Sequence, residues 1–282
     1  MRVKGIIKIV ITILVDFALL YCMLGVEQAI VLMVGILLYA YIGEYIALFK
    51  DSAVGLDNLN EYDRVRLIRA KDSLVNDVRE ASGENITGLK LHIIPSDKIN
   101  AYAYGFNNVA ITRAALNVCD DMTLNAVLGH EISHILCMDA VFHRIVFANI
   151  TLIIAGLIVM SFVFSFAVWI VFLCLCLIGI CGGLFSVFIF SKLSKMVKGF
   201  FHVLQYLVLC IYQAVMAIVS RGSEFRADSY SVTLGYGTQL SYFLSRFVEG
   251  QENRQKSLSD ILYDSHPTTY KRIQRIEQQI SM

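Results

Sequence analysis

The chain has 282 residues, of which 57% are hydrophobic and 17% charged, and its mean hydropathy is +0.63. This composition is too apolar for an ordinary soluble domain and predicts membrane-spanning helices. The formal net charge of +1 provides no basic surface for nucleic acid, so we expect no nucleic-acid partner.

Residues 1–49 are predicted to form a transmembrane hairpin, because two apolar runs, 9–24 and 29–49, are separated by only four residues. Lysines and arginines flank the hairpin at both ends, which places both ends on the cytoplasmic side. Asp16 lies at membrane depth and is a candidate functional group, although a tilted helix would bring it to an interface. Glu44, near the inner end of the second run, is predicted to lie at the interface.

Residues 50–144 are predicted to be the first part of a domain outside the membrane. An amphipathic helix begins near Asn58 or Asn60, either of which can cap it. The segment GLKLHII alternates apolar residues, as a half-buried strand does. The segment INAYAYGFNNVAIT predicts two short strands around a turn.

The next predicted helix, at 123–139, carries the pattern His-Glu-x-x-His in the segment LGHEISHILCMD. His130 and His134 are one turn apart, so both imidazoles can reach one metal ion. Glu131 lies beside them, where its carboxylate can take a proton from an attacking water and hand it to the leaving amine. The motif alone leaves two interpretations open: a metal site with a general base, or a helix that carries two histidines.

The apolar block 145–191 has no charged residue and is too long for one crossing, since a bilayer core takes roughly 20 helical residues. We predict that it crosses twice, as a second transmembrane hairpin. The stretch 200–220 carries a polar stripe and is predicted to be a long helix at or just inside the cytoplasmic face. Alternatively, 145–191 crosses once and adds a re-entrant or interfacial segment, with 200–220 as the return crossing.

Residues 192–282 are predicted to complete the domain outside the membrane. Here Glu224 and Asp228 are four apart, on one helical face. A catalytic zinc commonly has three protein ligands, so Glu224 can supply the third. Asp228 can accept a hydrogen bond from the far nitrogen of a ligand histidine. A solvated helix face is the alternative, but the pair follows an apolar helix, which favours a place near the core.

Four segments, in this order, resemble the motifs of the membrane-bound zinc endopeptidases that include the HtpX heat-shock protease and the CaaX prenyl protease of the Ste type. They are INAYAYG at 99–105, GHEISHILCMD at 129–139, SEFRADSYS at 223–231 and DSHPTTYKRI at 264–273. The chain length and the four predicted crossings are similar to the HtpX branch. The resemblance implies an α-helical integral membrane protein with a mainly α, α+β zincin-like (gluzincin) protease domain facing the cytoplasm.

The resemblance also implies roles for individual residues. One zinc ion per subunit would be bound by His130, His134 and Glu224, with Glu131 as the base. The residues implied to bind the transition-state oxyanion or the substrate backbone are His266 and Arg272. The edge strand implied to pair with an extended substrate contains Asn100, Ala101, Tyr102 and Ala103. Asp139 is expected to lie behind the zinc ligands, in a structural role that positions the motif helix.

The predicted function is hydrolysis of misfolded or damaged membrane proteins, and of some soluble ones, at the cytoplasmic face of a bacterial plasma membrane. The expected partners are the lipid bilayer and polypeptide substrates, and no oligomeric state is predicted. One alternative is a processing protease for a single membrane or lipidated substrate. Others are a non-catalytic membrane scaffold and a metal transporter, for which Asp16 is the one candidate ligand at membrane depth.

Overall fold

The computed structural model describes residues 1–180, 183–248 and 267–282. The chain forms two compact units. The first contains Met1–Ile145 and Ala217–Met282, and the second is Val146–Met216.

The described helices are α1 (Arg2–Leu24), α2 (Val26–Lys50), α3 (Glu61–Ser82), α4 (Arg113–Val118), α5 (Asp121–Leu136), α6 (Asp139–Leu177), α7 (Leu184–Thr233), α8 (Gly237–Phe243) and α9 (Thr269–Ile280). A 3₁₀ turn at Leu56–Asn58 and a π-helical turn at Leu244–Val248 accompany them. The strands are β1 (Val54–Gly55), β2 (Lys90–Ile94), β3 (Ala101–Tyr104) and β4 (Asn108–Thr112).

Among the described residues, four helices, α1, α2, α6 and α7, are long and apolar enough to cross a membrane. In the second unit, the rings of Phe164 and Phe201 have their centres 5.8 Å apart, and those of Phe172 and Phe190 are 4.9 Å apart. Phe172 follows Phe164 on α6, whereas its partner Phe190 precedes Phe201 on α7. The two helices therefore run in opposite directions, as in an antiparallel hairpin. The predicted class, a multi-pass helical membrane protein with a mainly helical α+β domain, is confirmed.

The second unit contains the end of one long helix and the start of another, since α6 continues to Leu177 and α7 begins at Leu184. The predicted helix at 200–220 is present as part of α7, which continues through it to Thr233. Neither proline of the chain falls within α7, and its lysines are good helix formers, so nothing in the sequence ends the helix there. The predicted division of the chain at residues 49, 144 and 191 stays a prediction.

The first unit is built around α5, against which α3 packs its apolar face. The α3 side chains of Leu67, Leu74 and Val78 are fully buried. Asn60 caps α3, because its side chain accepts a hydrogen bond from the backbone N–H of Asp63 at 2.8 Å. The predicted amphipathic helix and one of its two candidate caps are therefore confirmed.

Helix α5 is buried on nearly every side. Asp120 caps it by accepting a hydrogen bond from the backbone N–H of Thr123 at 2.7 Å. Every residue from 123 to 133 is buried, which explains why the sequence of α5 lacks a polar face. The helix ends at Leu136, and Met138 takes a positive φ of 54°. This left-handed residue turns the chain sharply, so that α6 begins next to the end of α5.

The four strands form one sheet in the order β1-β2-β4-β3. Strands β2 and β4 are parallel, whereas β3 and β4 form an antiparallel hairpin, with Ala101 opposite Ile111 and Tyr104 opposite Asn108. Gly105 in the connecting turn has a φ of 59°, a value that favours glycine. The predicted strands are present, and β3 lies at an edge of the sheet.

Glu44 is buried within the protein, and its predicted place at the membrane interface stays a prediction. Its side chain is only 2% exposed. One carboxylate oxygen accepts a hydrogen bond from the Asn108 side chain, and the other accepts one from the backbone N–H of Phe106 at 3.2 Å. A Cβ atom at Gly105 would collide with this carboxylate. The end of α2 therefore holds the β3–β4 turn from one side, a long-range contact that local hydropathy does not reveal.

Candidate active site

Three potential metal ligands converge where α5 meets α7. The Nε2 atoms of His130 and His134 lie 3.3 Å apart. The Glu224 carboxylate lies across from them, 3.5 Å from His130 Nε2 and 3.9 Å from His134 Nε2. Suitable ligand atoms of all three residues lie within 4.8 Å of one another. His134 and Glu224, which are 90 positions apart along the chain, are thus brought together.

This donor set fits a divalent transition metal. It offers two imidazole nitrogens and one carboxylate, the combination that suits Zn²⁺ with a fourth position left open for water or substrate. His130 and Glu224 are buried, and His134 is half-buried. The ligands therefore need little reorganisation before they can hold an ion, although their roles as ligands stay predictions.

A second carboxylate faces each histidine on its far side. Asp139 Oδ2 lies 2.9 Å from His134 Nδ1, within hydrogen-bond geometry. Asp228 Oδ1 lies 3.0 Å from His130 Nδ1, although that nitrogen does not point straight at an acceptor. A carboxylate at Nδ1 keeps the proton there and leaves Nε2 free to bind a metal.

The carboxylates of Asp228 and Glu224 influence the charge of His130 when no metal is bound. Burial lowers the pKa of this imidazole, but hydrogen bonds to Asp228 and Glu224 raise it by more, and the resulting pKa is about 10. A metal ion that binds Nε2 would therefore compete with a proton on that nitrogen, which faces Glu224, while Asp228 faces the proton on Nδ1.

Asp139 lies directly beside the site. It contacts the potential ligand His134, and its predicted supporting role stays a prediction. The cause of the contact is the left-handed turn at Met138, which brings the first residue of α6 back over the end of α5. The Asp139 carboxylate also binds two cations, Lys8 from α1 and Arg226 from α7. Nothing in the local sequence identifies these two partners.

Arg272 on α9 closes the site from a third direction. Its guanidinium donates two hydrogen bonds to Asp228, at 2.9 and 2.7 Å, and lies 3.0 Å from a carboxylate oxygen of Glu224. Burial lowers the pKa of Arg272, but the two carboxylates raise it by more, so the guanidinium stays charged. The guanidinium thus contacts Glu224, a potential ligand, and Asp228, the carboxylate that faces the potential ligand His130. Its predicted contact with the substrate stays a prediction.

The remaining predicted residues that the structure describes lie on α5 and on or next to β3. Glu131 is buried on α5, next to His130. His266 lies outside the described residues. β3 packs against α5 and pairs with β4 along one edge only, and its other edge has no strand partner in the part of the chain that the structure describes. Tyr102 on β3 is 39% exposed. Asn100 directly precedes the strand, and its backbone bonds to Thr112.

Comparison with known proteins identifies the family of the chain. Residues 72–280 match the sequence model of peptidase family M48. A protease HtpX homolog from Methanocaldococcus jannaschii is 27% identical over 211 residues, which cover 66% of this chain and 67% of that protein. A second HtpX homolog, from Methanothermobacter thermautotrophicus, is 31% identical over 144 residues, which cover 47% of this chain and 54% of that protein.

A solved structure shares the fold. The crystal structure of S. mikatae Ste24p matches 94% of this chain with a TM-score of 0.50 and 20% sequence identity. The match covers 61% of Ste24p, so this chain spans about three-fifths of that protein's length. The family match itself includes the histidine motif, Glu224 and Arg272. The expected resemblance to membrane metalloproteases of the HtpX type is confirmed, and the chain belongs to peptidase family M48.

Proposed function

We propose that this protein is a zinc endopeptidase of the bacterial plasma membrane whose active site faces the cytoplasm. The observation that carries the proposal is the convergence of His130, His134 and Glu224, with Glu131 adjacent. Two imidazoles, a ligand carboxylate and a second carboxylate as base are the groups that metal-assisted peptide hydrolysis needs.

The chain's own residues account for the steps of the reaction. A bound zinc ion would polarise the scissile carbonyl and lower the pKa of water at the site. Glu131 takes the proton from the attacking water and transfers it to the leaving amine nitrogen. Asp139 and Asp228 hold the ligand imidazoles in one tautomer. Arg272 keeps Glu224 in place and, as the family resemblance implies, donates to the developing oxyanion together with His266.

The substrate is proposed to be an extended polypeptide. The outer edge of β3 presents backbone N–H and C=O groups next to α5, so a substrate can add to the sheet there. Pairing through the backbone requires an unfolded segment and depends little on the identity of its side chains. This favours damaged membrane proteins over one dedicated substrate. Flanking lysines and arginines on the membrane helices favour the cytoplasmic side. The corresponding role is protein quality control in the membrane.

A cleavage assay tests the proposal. The full chain is purified in detergent with its metal removed, zinc is added back, and casein cleavage is compared between wild type and Glu131→Gln. We expect zinc-dependent cleavage that falls by about a hundredfold or more in the variant, because the base is lost. Zinc content should be unchanged. The control is Glu61→Gln, since Glu61 is exposed on α3. Equal cleavage by wild type and Glu131→Gln would refute the mechanism.

A further inference from the structure

Helix α1 lies unusually close to the end of α5. Gly5 is buried, and a Cβ atom at this position would lie 2.7 Å from the backbone carbonyl carbon of Cys137. Only glycine allows two backbones to approach in this way. The first membrane helix is therefore packed directly against the segment that follows the metal-binding histidines.

One turn further along α1, Lys8 reaches the metal site through one intermediary. Its Nζ donates to Asp139 Oδ1 at 2.8 Å, while Asp139 Oδ2 lies 2.9 Å from His134 Nδ1. The two oxygens of one carboxylate are thus divided between a membrane helix and a potential metal ligand. The ammonium also lies over the ring of Phe142, 4.8 Å from its centre, which fixes its position further.

This contact controls how Asp139 is oriented. The Asp139 side chain is only 8% exposed, so its charge requires nearby cations. Arg226 binds the same oxygen that faces His134. Without Lys8, Oδ1 loses its cation, and the carboxylate can rotate towards Arg226 and away from the imidazole. Loss of that hydrogen bond frees the His134 ring to change its orientation and its tautomer.

We propose that Lys8 is a positioning residue of the metal site, so that the first transmembrane helix is part of the catalytic unit as well as a membrane anchor. The proposal rests on the proposed function, because it assumes that His134 binds a metal ion. The competing explanation is that Lys8 only marks the cytoplasmic end of a membrane helix, as basic residues commonly do. Lys4, one turn earlier on α1, is exposed and has no ion pair among the described residues, so it separates the two explanations.

The test measures zinc affinity rather than activity. Full-length protein in detergent is stripped of metal and titrated with zinc against a chromophoric chelator. The variants are Lys8→Met, Lys8→Arg and, as the matched control, Lys4→Met. Groups that orient a ligand histidine directly affect affinity by about 10–100-fold, and Lys8 acts one step further out. We therefore expect Lys8→Met to weaken zinc binding about 3–10-fold. Lys8→Arg should retain most of the wild-type zinc affinity, and Lys4→Met should leave that affinity unchanged.

Two further measurements keep the proposal open to refutation. Thermal unfolding of the metal-free protein shows whether each variant is folded, and Lys8→Gln replaces Lys8→Met if the latter is not. Cobalt substitution reports the geometry of the ligands, and its visible absorption should shift in the Lys8 variant but not in the Lys4 variant. Equal zinc affinity and equal cobalt spectra in folded Lys8→Met and wild type would overturn the proposal. Failure of wild type itself to bind zinc, or binding that survives His134→Ala, would instead overturn the proposed function.

Discussion

Replacing Arg272 by methionine is expected to destabilise the metal-free protein strongly. Arg272 is 11% exposed, and its guanidinium faces the carboxylates of Asp228 and Glu224. Methionine has a similar length but leaves these buried acids without their guanidinium. Removing one partner of a buried ion pair typically costs about 3–5 kcal/mol. In the variant, His130 still lies 3.0 Å from Asp228 and compensates part of the charge of that carboxylate. We therefore expect a loss at the lower end of this range, about 3 kcal/mol.

The measurement compares the free energy of unfolding of wild type, Arg272→Met and Arg272→Lys in the same detergent. Lysine keeps the charge but cannot form the two parallel hydrogen bonds to Asp228, so its loss should be intermediate. Arg275, three residues later on α9, provides the control. It is exposed and lies over the ring of Phe225, 4.8 Å from its centre, so its replacement should cost no more than about 1 kcal/mol.

A double-mutant cycle with Asp228→Asn then isolates the interaction. If Arg272 and Asp228 stabilise each other, the double variant should be more stable than the sum of the single losses predicts, by about 1–3 kcal/mol. Additive losses would show that the hydrogen bonds between Arg272 and Asp228 contribute no coupling. A loss in Arg272→Met no larger than that in Arg275→Met would refute the view that Arg272 neutralises the buried carboxylates.

Two further predictions concern the elements that carry the site. Asp120→Ala should lower the free energy of unfolding by about 1 kcal/mol through loss of the α5 cap, whereas Asp120→Asn should preserve it. The hydrogen bond from Thr123 lowers the pKa of Asp120, so its contribution is present above the unfolded pKa and is lost as the pH falls through the folded one. Unfolding curves between pH 3 and 7 should therefore show less acid sensitivity in Asp120→Asn. Glu44→Gln should cost about 1–3 kcal/mol, because one of its two bonds to Asn108 and Phe106 loses its acceptor. Zinc affinity in that variant should stay unchanged, and a tenfold change would contradict this assignment.

Much of the candidate metal site could be predicted because its residues repeat at helical spacing. His130 and His134 on α5, and Glu224 and Asp228 on α7, are each four positions apart, so each pair is placed on one face before any tertiary structure is known. The cap at Asn60 and the β3–β4 hairpin depend on equally local signals. The physical reason is that capping, turns and helical periodicity involve only neighbouring residues.

Other features could not be predicted because they depend on contacts between distant segments. The burial of Glu44 and the reach of Lys8 to Asp139 join membrane helices to residues 64 and 131 positions away. Hydropathy assigns both side chains to an interface and contains no information on what lies beside them. The turn of the second hairpin is a further case: every position from 145 to 191 is apolar or neutral, so the sequence gives little indication of where the chain reverses.

The arrangement of charges around the two histidines explains why the local motif is not sufficient for a metal site. Each imidazole faces a carboxylate, and each carboxylate is held by a cation from another helix, Lys8 on α1 for Asp139 and Arg272 on α9 for Asp228. An isolated α5 would have the histidines but neither tautomer control nor the third ligand. Zinc affinity should therefore depend on the docking of α1, α7 and α9 onto α5, and zinc binding should in turn stabilise that docking.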